Sequence, residues 1–292
     1  MTGSGLAVAA AAAAPPSGTS GAAEVLAKAS RENFPVALRL LPADVRRQLE
    51  AIYGYARLVD DAGDLYEGDR LALLDWIETD LDRAYEGRAE HPLLQRVSTV
   101  ARDRALPRGP FLRLLEANRQ DQAVSRYANW DELAAYCDLS ANPVGELVLH
   151  VFGAATTDRI RWSDSVCTGL QLAEHWQDVG EDFGWGRIYV PLEDMARFGV
   201  EESDLATPEP GARFRELMAF EVGRARTLLA DGVPLARSLS GRFRIAIAGY
   251  VGGGRAALDA IERCGYDVLR RSPFAGGRSR AAATLNVLRE AR

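Results

Sequence analysis

An all-α fold is predicted by three features of the chain. From Glu24 onward the apolar residues recur at spacings of three and four, the period of one face of a helix. Alternation of apolar and polar residues, which a half-buried strand requires, is nearly absent. The periodic stretches are punctuated by Pro and Gly, at Pro92, Pro107, Gly109, Pro110, Gly153, Gly184, Gly186, Pro191 and Pro234 among others. No repeat with a period of about 20 to 50 residues is visible, which removes solenoid architectures.

The helices are expected in this order. Residues 43–64 carry the apolar-periodic stretch AIYGYARLVDDAGD, and residues 70–86 form a second helix. A third, 110–123, opens at Pro110, where a missing N–H is harmless because the first turn has no partner for it. The fourth, 130–152, ends before Gly153 and contains Pro143, which is expected to remove one hydrogen bond and kink it. The fifth, 164–183, ends before Gly184; the sixth spans 212–230 and the seventh 243–270. Within the seventh, RIAIAGYVGGGRAALDA resembles a strand followed by a GxGxxA dinucleotide turn. It has no βαβ surroundings, so the reading preferred is a helix with small residues at a close packing contact. The expected organisation is an uncharged Ala/Gly/Pro-rich disordered tail over 1–22, one all-α domain over 23–275, and a tail or short helix over 276–292.

Composition narrows the function. An apolar fraction of 47% is enough for a sizeable core, and a net charge of −6 without any basic stripe argues against nucleic acid as a partner. Cys137, Cys167 and Cys264 are isolated and odd in number, so neither a disulfide framework nor a zinc site is expected, in keeping with a cytoplasmic protein. The apolar run at 6–14 is shorter than the roughly 20 residues of a membrane span and has no basic residue before it, although peripheral contact with a membrane stays open.

The chemistry lies in two aspartate pairs of equal spacing, Asp60 with Asp64 in LVDDAGD and Asp178 with Asp182 in WQDVGED. Positions i and i+4 share a helix face, so each pair can present two carboxylates to one space. Mg²⁺ takes hard oxygen ligands and completes its shell with water and phosphate oxygens, so two such helices facing each other suit a Mg²⁺–diphosphate site. A solvated acidic face is the alternative for either pair alone. The mostly apolar surroundings of Asp60 favour a cavity instead, because a carboxylate there needs a partner or a metal. Glu174 continues the second face one turn earlier and is a candidate further oxygen ligand, as is Asp61 at the first pair.

These stretches resemble the squalene and phytoene synthase family of head-to-head prenyl transferases, over most of the chain from about Ser30 to Leu269. The first family motif is matched by YGYARLVDDAGD, with Tyr53, Arg57, Asp60, Asp61 and Asp64, and the second by QDVGEDFGWGRIYVP, with Asp178, Asp182, Arg187 and Tyr189. The resemblance implies a single isoprenoid synthase domain with both motifs lining a central channel. ENFPVALRLLP, YCDLSANPVGELVLHVFG and HWQDV are most similar to the bacterial hopanoid branch, which converts presqualene diphosphate and water to hydroxysqualene and diphosphate. A separate enzyme would then supply the presqualene diphosphate, and a reductase would take the product on to squalene.

On that basis the aspartates hold Mg²⁺ while Arg57 and Arg187 contact diphosphate. Arg31 and Asn33 stand where relatives carry a Ser-rich phosphate-binding segment. Tyr53, Tyr189 and Tyr266 are expected near the phosphate end, Tyr266 through the resemblance alone. Phe34 is a candidate apolar wall, with Val59, Leu147 and Leu170, and Asn142, Glu174 or His175 could orient water. Glu174 and Gln177 depart from the Asn and Arg of many members, both changes making the site more negative. The competing expectations are a phytoene, dehydrosqualene or squalene synthase, and a non-catalytic scaffold member, which would be expected to lose the aspartates that this chain keeps.

Overall fold

The computed structural model describes residues 18–21, 25 and 40–292. The tail expected over 1–22, apart from 18–21, and the candidate residues Arg31, Asn33 and Phe34 lie outside the described residues. Their regular structure is all helical, with no strand among them beyond one isolated parallel bridge between Arg126 and Ile188.

The helices are α1 Ala43–Asp64, α2 Arg70–Tyr85, α3 Pro92–Arg104, α4 Gly109–Gln120, α5 Trp130–Ser140, α6 Asn142–Val151 and α7 Thr157–Gln177. They continue with α8 Val179–Gly184, α9 Leu192–Phe198, α10 Glu202–Leu205, α11 Ala212–Asp231, α12 Val233–Ser238, α13 Gly241–Arg263 and α14 Gly277–Glu290. None is long and apolar enough to cross a membrane.

Local chemistry sets several of the boundaries. Asp69, Asn129 and Thr156 accept from the backbone N–H of Ala72, Glu132 and Arg159, capping α2, α5 and α7. Two predicted helices are each two. Pro143 does not kink a continuous helix: the chain ends α5 at Ser140, and Pro143 falls in the first turn of α6, where it costs no hydrogen bond. The stretch around Asp178 also breaks, because the amide of Gly180 donates to Val268 at 3.2 Å instead of continuing the helical ladder. The expectation that Glu174, Asp178 and Asp182 share one face of one helix is thereby corrected.

Helix α7 is central and packs against α5, α6, α11, α12 and α13. Its indole Trp176 is fully buried and donates to the Glu221 carbonyl of α11 at 3.1 Å, which fixes the end of α7 that carries Glu174 and His175. On the other side α1 packs against α2, α3, α4 and α6. Tyr55 of α1 meets the Phe111 ring edge-on at 4.9 Å and donates to its carbonyl at 2.9 Å, so α4 is held at a fixed rotation against α1. The stretch with the GxGxxA pattern is the interior of α13, where Gly252 lies against the Thr284 backbone of α14 and Gly254 against Leu170 and Leu229. The small residues serve helix packing, as preferred from sequence.

Candidate active site

Between α1, α4, α5, α6 and α7 lies a cavity of about 410 Å³. Helix α1 contributes Ile52, Tyr53, Ala56, Arg57, Asp60 and Asp64; α4 contributes Leu114, Ala117 and Asn118, with Asp121 just beyond its end. Tyr136 and Ser140 of α5, Val144 of α6, and Gln171, Glu174 and His175 of α7 close the far side, and Arg187 and Tyr189 cover one end. A second, mostly apolar pocket of about 190 Å³ shares Ser140, Val144, Gln171 and Glu174 with it and runs on between Val148, Val166, Leu170 and Ile247.

The first motif is shaped by its glycine. A Cβ on Gly63 would collide with the Asn118 side chain, and in the space left open Asn118 donates to Asp60 Oδ1 at 3.2 Å. Asp60 remains reachable from the cavity, yet crowding by protein raises its carboxyl to about 7, with Asp64 and Asp61 adding to the rise against the pull of Asn118 and Arg57. Asp61 points the other way, buried and paired with Arg57 Nε at 2.9 Å. Asp64 sits at the rim, where Arg187 reaches its Oδ1 at 2.8 Å.

The second motif is arranged differently. Neither Asp178 nor Asp182 lines the large cavity; Glu174, one turn earlier, does. Asp178 is hydrogen-bonded by Ser272, and Asp182 lies behind His175 and Tyr189, with Oδ2 3.9 Å from His175 Nδ1. Burial, then the neighbouring Asp178, raise the Asp182 carboxyl to about 7. Burial and Arg187 push His175 down to about 3, so the ring is neutral. It stacks on Tyr189 at 3.7 Å between centroids.

Other candidates fall outside the cavity lining. Asn142 is buried between α6 and α7, where Thr168 donates to it at 3.0 Å and it donates to Asp138. Tyr266 packs on the core beyond α13 with φ of 61°, and Val59 and Leu147 are core residues as well. Leu170 lines the apolar pocket.

The sequence reading missed Asn118, Asp121, Tyr136, Ser140 and Gln171. Asp121 is the most marked: Tyr136 donates to its Oδ2 at 2.9 Å, its Oδ1 is buried without a hydrogen-bond partner among the described residues, and burial raises it to about 6. The signal available was a polar run, Asn118 to Gln122, where the helical pattern called for an apolar face.

Four carboxylates of the cavity, Asp60, Asp64, Asp121 and Glu174, face two guanidiniums, Arg57 and Arg187. An excess of hard oxygen donors, part of it buried and unpaired, fits a hard divalent cation such as Mg²⁺. Among the described residues no group of three or more His, Cys, Asp and Glu is gathered at metal-holding spacing.

The all-α bundle, built around a carboxylate-lined cavity with an apolar pocket beside it, has the squalene synthase-type isoprenoid synthase fold. The family model for squalene/phytoene synthase matches residues 27–279, and the chain belongs to that family. The chain is 35% identical to hydroxysqualene synthase of Rhodopseudomonas palustris over 71% of each chain. It is 30% identical to phytoene synthase of Mycobacterium tuberculosis over 86% of this chain and 81% of the other. The crystal structure of squalene synthase HpnC from Alicyclobacillus acidocaldarius superposes with a TM-score of 0.78 at 40% identity, covering 87% of this chain and 95% of that one. The family is a class of head-to-head condensing enzymes for prenyl diphosphates and generally uses Mg²⁺ through its aspartate motifs.

Proposed function

We propose that the protein is a hydroxysqualene synthase, converting presqualene diphosphate and water to hydroxysqualene and diphosphate. The observation that carries this reading is the pair of adjoining pockets, one polar and acidic and the other apolar, in a chain similar to named hydroxysqualene synthases. A diphosphate ester with a long hydrocarbon body needs both.

Asp60, Asp64, Asp178 and Asp182, with Glu174 beside them, would hold Mg²⁺, which supplies electrostatic stabilisation to the departing diphosphate. Arg57, Arg187 and Tyr53 would bind its oxygens at the cavity rim. Ile52, Leu114, Ala117 and Val144, with Val148, Val166, Leu170 and Ile247 of the apolar pocket, would exclude bulk water from the hydrocarbon once the ester bond has broken. Neutral His175 cannot add positive charge beside that cation.

Purified protein given Mg²⁺ and presqualene diphosphate, without nicotinamide, should release a hydroxylated C30 alcohol carrying oxygen from labelled water. Chelation should stop the reaction and Mg²⁺ restore it. Asp60→Ala and Asp178→Ala should each lower turnover roughly a hundredfold, the scale of losing a preorganised electrostatic contact. Squalene formed only with NADPH would overturn the assignment. The similarity to phytoene synthases favours one second reading, head-to-head condensation ended by proton loss, which the same assay would reveal as a conjugated hydrocarbon.

A further inference from the structure

The last part of the chain is basic in a protein that is acidic as a whole. Between Asp267 and Glu290 there is no carboxylate and there are five arginines, Arg270, Arg271, Arg278, Arg280 and Arg289, while the chain carries a net charge of −6. Spread along the sequence they make no run of like charge, but the helix gathers part of the set. Arg278, Ala281, Ala282, Leu285 and Arg289 of α14 stand at i, i+3, i+4, i+7 and i+11, which is one helical face. All five are exposed, Leu285 at 54%. The opposite face buries Val287, and the helix packs on α13.

Just before the helix Phe274 is 66% exposed, with the Arg280 guanidinium 5.1 Å from its ring centroid. Arg270 is held by Glu209, whereas Arg271, Arg278 and Arg289 have no carboxylate partner among the described residues. Glu290, the carboxylate that ends the basic stretch, is already taken by Arg255 at 2.8 Å. Exposed apolar side chains flanked by unpaired cations, with no free anion among them, fit a surface that is apolar within and anionic at its boundary. A second copy of this chain would set the same arginines against one another across a two-fold axis. A nucleic acid backbone would leave Phe274 and Leu285 without a partner.

We infer that the outward face of α14, together with the Phe274 loop before it, docks on an anionic lipid bilayer. Phe274 and Leu285 enter the headgroup layer, while Arg271, Arg278 and Arg289 meet lipid phosphates. The inference goes beyond the proposed reaction and holds whichever product is formed. The docking loop is also fastened to the second motif: Ser272 is hydrogen-bonded to Asp178, and the Pro273 carbonyl accepts from Gln177 Nε2. Docking there sets the junction of α7 and α8 beside the membrane, into which the hydrocarbon of a prenyl diphosphate partitions.

The experiment is cosedimentation of the full chain with vesicles of phosphatidylcholine alone and of equal parts phosphatidylcholine and phosphatidylglycerol. Wild type should bind the anionic vesicles only, and added salt should release it. Arg278→Glu combined with Arg289→Glu should lower the partition coefficient roughly tenfold or more, and Phe274→Ala about threefold. Arg96→Glu combined with Arg102→Glu, on the exposed side of α3, changes the net charge by the same amount and should bind within about twofold of wild type. Thermal melts identify a variant that fails to fold, and Arg278→Gln with Arg289→Gln then replaces the α14 pair. Equal binding by wild type and the folded α14 variant overturns the inference, as does an equal loss in the α3 control, which would leave net charge as the cause. A wild type that ignores both vesicles overturns it too, and if that protein sediments as a dimer which the α14 changes dissociate, the face belongs to a second copy. None of these results bears on the product of the reaction.

Discussion

Arg187 donates to Asp64 at 2.8 Å, an ion pair that crosses 123 residues of sequence and joins the second motif to the first. Both partners are substantially solvent-exposed, at 26% and 45% of their side-chain surface. A pair so placed contributes at most about 1 kcal/mol to stability. It is therefore cheap to open, and a guanidinium that can exchange a carboxylate for a phosphate suits the mouth of a diphosphate site.

Arg187→Ala should consequently leave the melting temperature within a few degrees of wild type while lowering kcat/KM roughly a hundredfold. Arg187→Lys should recover only part of the loss, because an ammonium cannot reproduce the planar fork. Parallel melts and initial rates of diphosphate release decide the matter. A large drop in melting temperature with near-normal rates would make the pair a structural strut.

The glycine of the first motif acts through Asn118. In Gly63→Ala the new methyl must displace the Asn118 side chain and so withdraw the hydrogen bond on Asp60. Asn118→Ala withdraws the same bond directly, and each change should cost about tenfold in turnover. Since both act on one contact, the double variant should be no worse than the more damaging single one. Additive losses would show that Gly63 serves some other purpose.

Gly180 has the corresponding place in the second motif. A side chain there would run into the Leu269 backbone, whose neighbour Val268 accepts the Gly180 amide. Gly180→Ala should push the 265–269 segment off α8, with a stability loss of about 1–3 kcal/mol by overpacking and a fall in activity. Denaturant unfolding beside the activity assay tests both. A variant of wild-type stability would mean that the segment yields without cost.

Much of this was legible in the sequence, for reasons that vary by residue. Helix α1 was predicted with its observed bounds because its apolar stripe and its acidic pair share one helical period. Both aspartate pairs were visible through the same i, i+4 spacing, and Arg187 through the resemblance of its motif to that of the family. The break at Asp178 was not, since it depends on Val268 taking the Gly180 amide, a contact made 88 residues away (268 − 180). Asn118, Asp121 and Ser140 have no spacing signature either. Their relation to Asp60 and Glu174 arises where α4, α5 and α7 meet around one cavity, through tertiary contacts such as Tyr55 on Phe111 and Trp176 on α11.

Remote from the cavity, α11 buries Glu221 against Arg224 at 2.7 Å, and Arg224 also reaches Asp194 at 2.9 Å. One guanidinium between two buried carboxylates leaves an excess negative charge, and burial, with Asp194 adding, raises Glu221 to about 8 against the pull of Arg224. The folded state then holds a proton that the unfolded chain gives up near its ordinary value of about 4.3. The stabilisation linked to that proton is present in full below the unfolded value and is lost as pH rises through about 8. Asp60 and Asp182, both raised to about 7, slope in the same direction, so wild type alone cannot isolate Glu221. Glu221→Gln mimics the protonated side chain and does not titrate. Between pH 5 and 8 its melting temperature should fall less steeply than that of wild type, by roughly 2–5 °C over the interval. Parallel slopes would mean that Glu221 is already ionised in the folded protein, held by Arg224.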